Sequence, residues 1–316
     1  MKFLITGSSG FIGFHLAKKL LQQGHDVVGI DNHNDYYDIS IKKNRKKLLE
    51  TEKFKFFQQD LNNLNISESN FDFAINLAAQ AGVRVPKDKE YLYEHSNSKG
   101  FEKFCEFCEF KDIKKIIYAS SSAVYSDIDT EIFTEGVTKL NPKSIYGLSK
   151  LSNEKFASMY AGNKEISIVG LRFFSVYGPF GRPDMAYYSF AKAINDGTSL
   201  VLNNNGSMQR DMTYIDDIVD GIQGAINYIN HKKSAIKNEI FNLGNNVPIL
   251  TSTLLDVLQK KLKKKAYIEH MQTENESLIT HADITKAKNL LGYDPKISFE
   301  NGIDLFLKWY KSYENK

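Results

Sequence analysis

Tyr146-Gly-Leu-Ser-Lys150 places a phenol and an ammonium four residues apart, on one face of a helix. A nearby ammonium favours phenolate and brings a tyrosine that ordinarily titrates at about pH 10 toward the range of a working general base. In a chain with 17 tyrosines such a pair also arises by chance, so alone it carries little. Ser120-Ser121-Ser122 gives it weight. This hydroxyl run closes a short apolar segment, with Ser121 25 residues before Tyr146, and a hydroxyl there can bond the same substrate oxygen.

A second constellation lies at the N-terminus, in Thr6-Gly7-Ser-Ser-Gly10-Phe11-Ile12-Gly13. It falls between a predicted strand and a predicted helix, with another strand following, and that context is what distinguishes a dinucleotide-binding turn from an ordinary glycine-rich one. Gly7 permits the tight turn, Gly10 lets backbone approach a pyrophosphate, and Gly13 lets helix and strand pack closely. The helix N-terminus adds amides and a partial positive charge. Asp31, with Asn32 beside it, ends the second strand 18 residues after Gly13. A carboxylate there accepts from adenosine ribose hydroxyls and repels a 2′-phosphate, so NAD is expected rather than NADP.

These residues need a frame. Apolar runs at Lys2 to Ile5, Asp26 to Ile30, Phe54 to Gln58, Phe71 to Asn76, Lys115 to Ala119 and Ile166 to Leu171 alternate with helical stretches such as Phe11 to Gln23 and Phe101 to Phe110. Strands alternating with helices imply a parallel sheet covered on both faces. The expected architecture is α/β, a Rossmann-type doubly wound parallel sheet over residues 1–172, which 214–243 partly rejoin. A smaller, interleaved C-terminal domain is expected from 173–213 and 244–316, where loops such as Tyr177-Gly-Pro-Phe-Gly-Arg-Pro183 cover a cleft.

Length and composition agree. The 316 residues suffice for about two domains, and 42% hydrophobic with 25% charged residues excludes disordered, collagen-like and coiled-coil classes. Ten of the basic residues lie in two runs, at 42–47 and 260–265, and without them 31 basic residues face 38 acidic ones. With no aromatic interleaving, the runs are expected to be solvated helix faces, with no nucleic-acid partner. No apolar stretch reaches 18 residues and no leader cleavage pattern follows the N-terminus, so neither a membrane span nor a signal peptide is expected. Cys105 and Cys108 support neither a disulfide framework nor a zinc site, and a cytoplasmic location is expected. The seven histidines show no ligand spacing, so no metal is expected.

The three-and-three glycine spacing, with Ser121, Tyr146 and Lys150, resembles the extended short-chain dehydrogenase/reductase superfamily, in its NAD-dependent nucleotide-sugar epimerase/dehydratase branch. The resemblance implies that Asp60 and Leu61 hold the adenine ring and that Leu77-Ala78-Ala79-Gln80 lines the middle of the cofactor. It implies that Tyr146 is the proton acceptor, Lys150 holds the nicotinamide ribose, Ser121 bonds the reacting oxygen and Ser122 makes a second substrate contact. The dehydratases of the branch have Asp-Glu after the catalytic hydroxyl and the decarboxylases Ser-Glu. Here the pair is Ser122 and Ala123. Without a second acid/base, a 4-keto sugar has no exit except hydride return, and return to the opposite face is 4-epimerisation.

Longer segments resemble UDP-glucuronate 4-epimerases: Asp31-Asn-His-Asn-Asp-Tyr-Tyr-Asp-Ile-Ser40, Ala79-Gln-Ala-Gly-Val-Arg84 and Arg172-Phe-Phe-Ser-Val-Tyr-Gly-Pro-Phe-Gly-Arg-Pro-Asp-Met185. Arg182 and Ser175 would then hold the sugar carboxylate, a task suited to a guanidinium fork. Arg84 is either a second carboxylate contact or a surface residue. Arg210 would bind the UDP diphosphate. Residues 271–277 lack the Gly-Asp-Val pattern that usually helps enclose the nucleotide. The expected reaction is interconversion of UDP-glucuronate and UDP-galacturonate by a homodimer, with the Phe101, Phe104, Cys105 and Cys108 stripe either facing the second subunit or lying in the core. A 4-epimerase of UDP-glucose or UDP-N-acetylglucosamine, and a non-catalytic NAD-binding sensor, are the competing readings.

Overall fold

The computed structural model describes residues 1–83, 85–125, 131–162, 164–273 and 278–314. The first half alternates as expected: β1 (Lys2–Thr6), α1 (Phe11–Gln22), β2 (Asp26–Asp31), α2 (Ile39–Leu48), β3 (Phe54–Gln58), β4 (Phe73–Asn76), α3 (Gly100–Phe110), β5 (Lys115–Ser121), α4 (Ile145–Ala161) and β6 (Ser167–Phe173). Beyond it come β7 (Ser175–Tyr177), α5 (Ala186–Asp196), β8 (Ser199–Asn203), β9 (Gln209–Tyr214), α6 (Ile215–His231) and β10 (Lys237–Leu243). The chain ends with β11 (Pro248–Leu250), α7 (Thr251–Leu262), β12 (Tyr267–Met271), β13 (Ile279–Thr280), α8 (Thr285–Leu291) and α9 (Phe299–Glu314).

Seven strands form one parallel sheet in the order β10-β6-β5-β4-β1-β2-β3. The order reverses between β1 and β4, the position at which open α/β sheets leave a crevice beyond their strand ends. Strands covered on both faces read as continuous apolar runs, and β1 shows why: Phe3 and Ile5 pack in the core layer with Phe14 of α1, while Leu4 points to the opposite layer with Phe101 and Cys105 of α3. Phe101, Phe104, Cys105 and Cys108 are all buried within their own chain. β7, β9, β11 and β13 build a separate four-stranded sheet, and β8 pairs with β12.

Three departures from the sequence pattern have physical causes. β4 starts at Phe73 instead of Phe71, because the Asp72 carboxylate takes the Lys2 amide (2.7 Å) where a ladder would use a carbonyl. β6 continues past Leu171 through Arg172 and Phe173, which stand in register with Ser120 and Ser121. A buried arginine is tolerated there because Glu154 neutralises it. The basic run at 42–47 does form a helix, but it is not wholly solvated: Lys42 and Arg45 are buried while Lys43 and Lys47 are exposed. Among the described residues, no helix is long and apolar enough to cross a membrane.

Candidate active site

One cavity of about 740 Å³ opens at the sheet's strand ends. Gly7, Gly10, Phe11, Ile12, Gly13, Asp31, Asn32, Asp60, Leu61, Leu77, Ala78, Ala79 and Gln80 line one side of it. Ser121, Ser122, Tyr146, Lys150, Ser175, Arg182 and Arg210 line the other. Of the residues singled out in the sequence, only Arg84 lies outside the described residues, as does most of the 271–277 segment.

The glycine-rich turn is built by close backbone approach. Gly7 takes φ +70°, and a Cβ there would sit 2.7 Å from the Ala78 nitrogen, so the turn closes on the end of β4 only without a side chain. A Cβ on Gly13 would lie 2.1 Å from the Gly7 carbonyl. α1 begins at Phe11 with Gly10 as N-cap and no side chain capping its first turn. The first amides of an uncapped helix suit a phosphate. The Asp31 carboxylate accepts from the backbone of Ser9 (3.1 Å) and His33 (2.9 Å), which uses two of its about four acceptor directions and leaves room for hydroxyl donors. Asp60 accepts from the Asn62 amide and from Asn32 Nδ2 (3.0 and 2.9 Å). Burial works against its charge, but these bonds hold its carboxyl below the ordinary carboxylate range. Uncapped amides that can donate to a pyrophosphate, a carboxylate that can accept from a ribose and a Lys in the same cavity fit a dinucleotide.

The chemical side is organised by α4. Ser144 caps this helix by accepting from the Gly147 amide (3.0 Å), which fixes where Tyr146 leaves it. Tyr146 and Ser121 both line the cavity. Burial raises the Tyr146 phenol above its ordinary value, and the Ser121 hydroxyl and the Arg182 charge oppose part of that rise. Lys150, only 2% exposed, donates to the Ala119 carbonyl at 3.0 Å, and burial brings its ammonium down to about 8. The Lys150 nitrogen lies 5.9 Å from the Tyr146 ring centre. A phenol, a hydroxyl and an ammonium so arranged can move a proton to or from one substrate oxygen.

Two networks hold this group, and sequence spacing did not reveal either. Asn97, 1% exposed, accepts from the Gln80 amide (2.7 Å) and donates to Ser149 Oγ (3.0 Å), tying the β4 loop to α4. Beneath the site Arg172 pairs with both oxygens of Glu154 (2.8 and 2.7 Å), and Ser120 donates to the same carboxylate at 2.5 Å. His33 Nε2 meets Ser9 Oγ at 2.9 Å, and His15 Nε2 meets the Pro179 carbonyl at 2.9 Å, so both histidines are tied to loops around the cavity.

Arg182 is already engaged. Its Nε and Nη2 donate to the two oxygens of Asp184 (3.0 and 2.5 Å), and Tyr36 donates to Asp184 Oδ2 at 3.1 Å. Burial first, and then Asp184, push the Tyr36 phenol up to about 12, so it keeps its proton. The pairing occupies the side edge of the guanidinium. Arg210, which also lines the cavity, donates to the Gln209 carbonyl at 2.9 Å. Tyr36 and Asp184 lie within segments quoted above, yet nothing in their spacing showed that they meet.

A doubly wound sheet, an uncapped glycine turn at its switch point and a Tyr-Lys helix beside a hydroxyl define a dinucleotide-dependent enzyme of the short-chain dehydrogenase/reductase type. Residues 3–244 match the NAD dependent epimerase/dehydratase family, and the chain belongs to that family. It is an extended short-chain dehydrogenase/reductase, and its cofactor is NAD. It is 41% identical over 322 residues to an uncharacterized protein of Methanocaldococcus jannaschii, covering 99% of this chain and 96% of that one. It is 38% identical over 329 residues to UDP-glucuronate 4-epimerase 1 of Arabidopsis thaliana, covering 98% of this chain and 76% of the relative. The crystal structure of UDP-glucuronic acid 4-epimerase from Bacillus cereus, solved with UDP-glucuronic acid and NAD, superposes with a TM-score of 0.91 at 33% identity, covering 99% of this chain and all of that one.

Proposed function

We propose that the protein interconverts UDP-glucuronate and UDP-galacturonate by epimerisation at C4 through a 4-keto sugar. The observation that carries this reading is that Arg182 and Ser175 line the same cavity as Ser121, Tyr146 and Lys150. When bound, NAD supplies a reversible hydride acceptor at the sugar's C4. The amides of Phe11 to Gly13 would hold its pyrophosphate, Asp31 the adenosine ribose, and Lys150 the nicotinamide ribose. Tyr146 takes the proton of the C4 hydroxyl and later returns it, and Ser121 bonds the same oxygen. Ser122 and Ala123 offer no carboxylate for a proton transfer at C5, which leaves the sugar to turn and present its other face. Arg210 anchors the UDP diphosphate while that turn takes place. The homologues that cover nearly the whole chain, and the structure solved with UDP-glucuronic acid, support this reading.

Incubation with UDP-glucuronate and NAD, followed by sugar NMR, tests it. Galacto-configured product is expected, with neither pentose nor a released 4-keto sugar. Tyr146→Phe should lower the rate by about 10²–10⁴-fold with NAD retained, and full turnover by that variant refutes the assignment. One observation favours a second reading, a 4-epimerase of a neutral UDP-sugar: Asp184 already neutralises Arg182. Clear turnover of UDP-glucose with none of UDP-glucuronate establishes that alternative.

A further inference from the structure

Arg45 is the most unusual side chain outside the groups assigned above. It sits in the basic run of α2 and is 0% exposed. Its Nη1 donates to the Ser9 carbonyl (3.0 Å) and the Tyr37 hydroxyl (2.6 Å), and its Nη2 donates to the carbonyls of Phe180 (2.6 Å) and Gly181 (3.0 Å). Nε has no hydrogen-bond partner. No acidic side chain among the described residues forms an ion pair with it. A buried charge without a counter-charge is costly, and a core position asking only for bulk is better filled by an apolar side chain. The guanidinium is therefore held for its geometry, as a planar fork reaching two places at once.

Those two places matter. Ser9 belongs to the glycine-rich turn, and Phe180 and Gly181 immediately precede Arg182. The second segment is held away from relaxed backbone: Phe180 takes φ +56°, a left-handed conformation rare for a bulky residue. Its ring is anchored against Phe14 (4.9 Å) and Trp309 (5.0 Å), and His15 takes the neighbouring Pro179 carbonyl. Two side chains, from α1 and α2, thus fasten three successive carbonyls of the loop that delivers Arg182.

We propose that Arg45 is a positioning residue for recognition of the sugar carboxylate, setting the Arg182 fork relative to the cofactor turn before substrate arrives. Its ligand, an acidic UDP-sugar, rests on the function proposed above, whereas the setting of the loop is measurable without it. Arg45→Lys keeps the charge but loses the fork. In NAD-loaded enzyme with Tm close to wild type, it should raise KM for UDP-glucuronate about tenfold or more, as the loss of charge-assisted bonds implies, with kcat on the pH plateau little changed. Hydrogen exchange of amides 178–185 should accelerate by a similar factor. Because the effect runs through Arg182, adding Arg45→Lys to Arg182→Met should raise KM no further. If Arg45→Lys does not fold, Tyr37→Phe removes one acceptor of Nη1 and should shift both readouts in the same direction by less. Unchanged exchange in 178–185, or a fall in kcat at constant KM, overturns the proposal. Failure of the wild type to use UDP-glucuronate overturns the substrate assignment instead, and the exchange of 178–185 then decides the role of Arg45 alone.

Discussion

Arg182, proposed above to hold the sugar carboxylate, also acts through its charge on the Tyr146 phenol. Burial raises Tyr146, and Arg182 is one of the two groups opposing that rise. Arg182→Met should therefore move the acidic limb of the kcat profile to higher pH, on whichever UDP-sugar the wild type accepts. A limb that stays in place would show that Arg182 acts only on the substrate. Lys150 has the opposite economy. Its ammonium is brought down to about 8 by burial, so the folded state binds this proton more weakly than the unfolded state does. The cost is fully present below pH 8 and is relieved as pH rises from there toward the ordinary lysine value. Lys150→Met should abolish turnover yet stabilise the cofactor-free protein at pH 7 by at most about 3 kcal/mol, from 1.36 kcal/mol per unit. The advantage should shrink toward pH 10, and urea titrations at several pH values would show it. An advantage independent of pH would mean that packing, not charge, is responsible.

At the scale of elements, what could be read from the sequence was what is local. The glycine turn and the Tyr146–Lys150 pair each lie within one turn or one helix, so spacing alone exposes them. Phe3, Leu4 and Ile5 announce a strand because both of their faces are covered. The supports are different. Tyr36 meets Asp184 across 148 residues, Arg45 meets Gly181 across 136, and Asn97 meets Ser149 across 52. Only the fold brings these partners together. β6 runs past Leu171 for the same reason: Arg172 is kept inside by Glu154, which lies on a different element. That pair joins β6 to α4, with exposures of 4% and 8%, and through Ser120 it reaches the strand that carries Ser121. Glu154→Ala leaves a buried guanidinium uncompensated and should cost about 3–5 kcal/mol. The urea midpoint should fall with the slope unchanged, and Arg172→Met in the same background should recover part of the loss. A change below about 1 kcal/mol would show that water replaces the carboxylate.

For the whole molecule, the aromatic and cysteine stripe of α3 turns out to be core, since Phe101, Phe104, Cys105 and Cys108 each pack beneath the sheet. The homodimer expected from the sequence would therefore have to pair through another surface. α4 presents one: Ile145, Leu148 and Met159 fall on a single helical face and are 43%, 49% and 81% exposed. Phe110, at the end of α3, is 81% exposed as well. Burying such side chains against the same face of a twofold-related copy satisfies both chains at once, which is the usual logic of a symmetric dimer. Tyr146 leaves the same helix on a different face, into the cavity, so pairing would stiffen the helix that carries it. Leu148→Glu combined with Met159→Glu places carboxylates at the centre of that surface without touching the cavity. Sedimentation should then change from dimer to monomer, while each monomer retains its fold by circular dichroism and its bound NAD. Turnover should fall in parallel with the monomer fraction if α4 needs the partner for rigidity. A variant that still sediments as a dimer would move the interface elsewhere, and a wild type that sediments as a monomer would remove it.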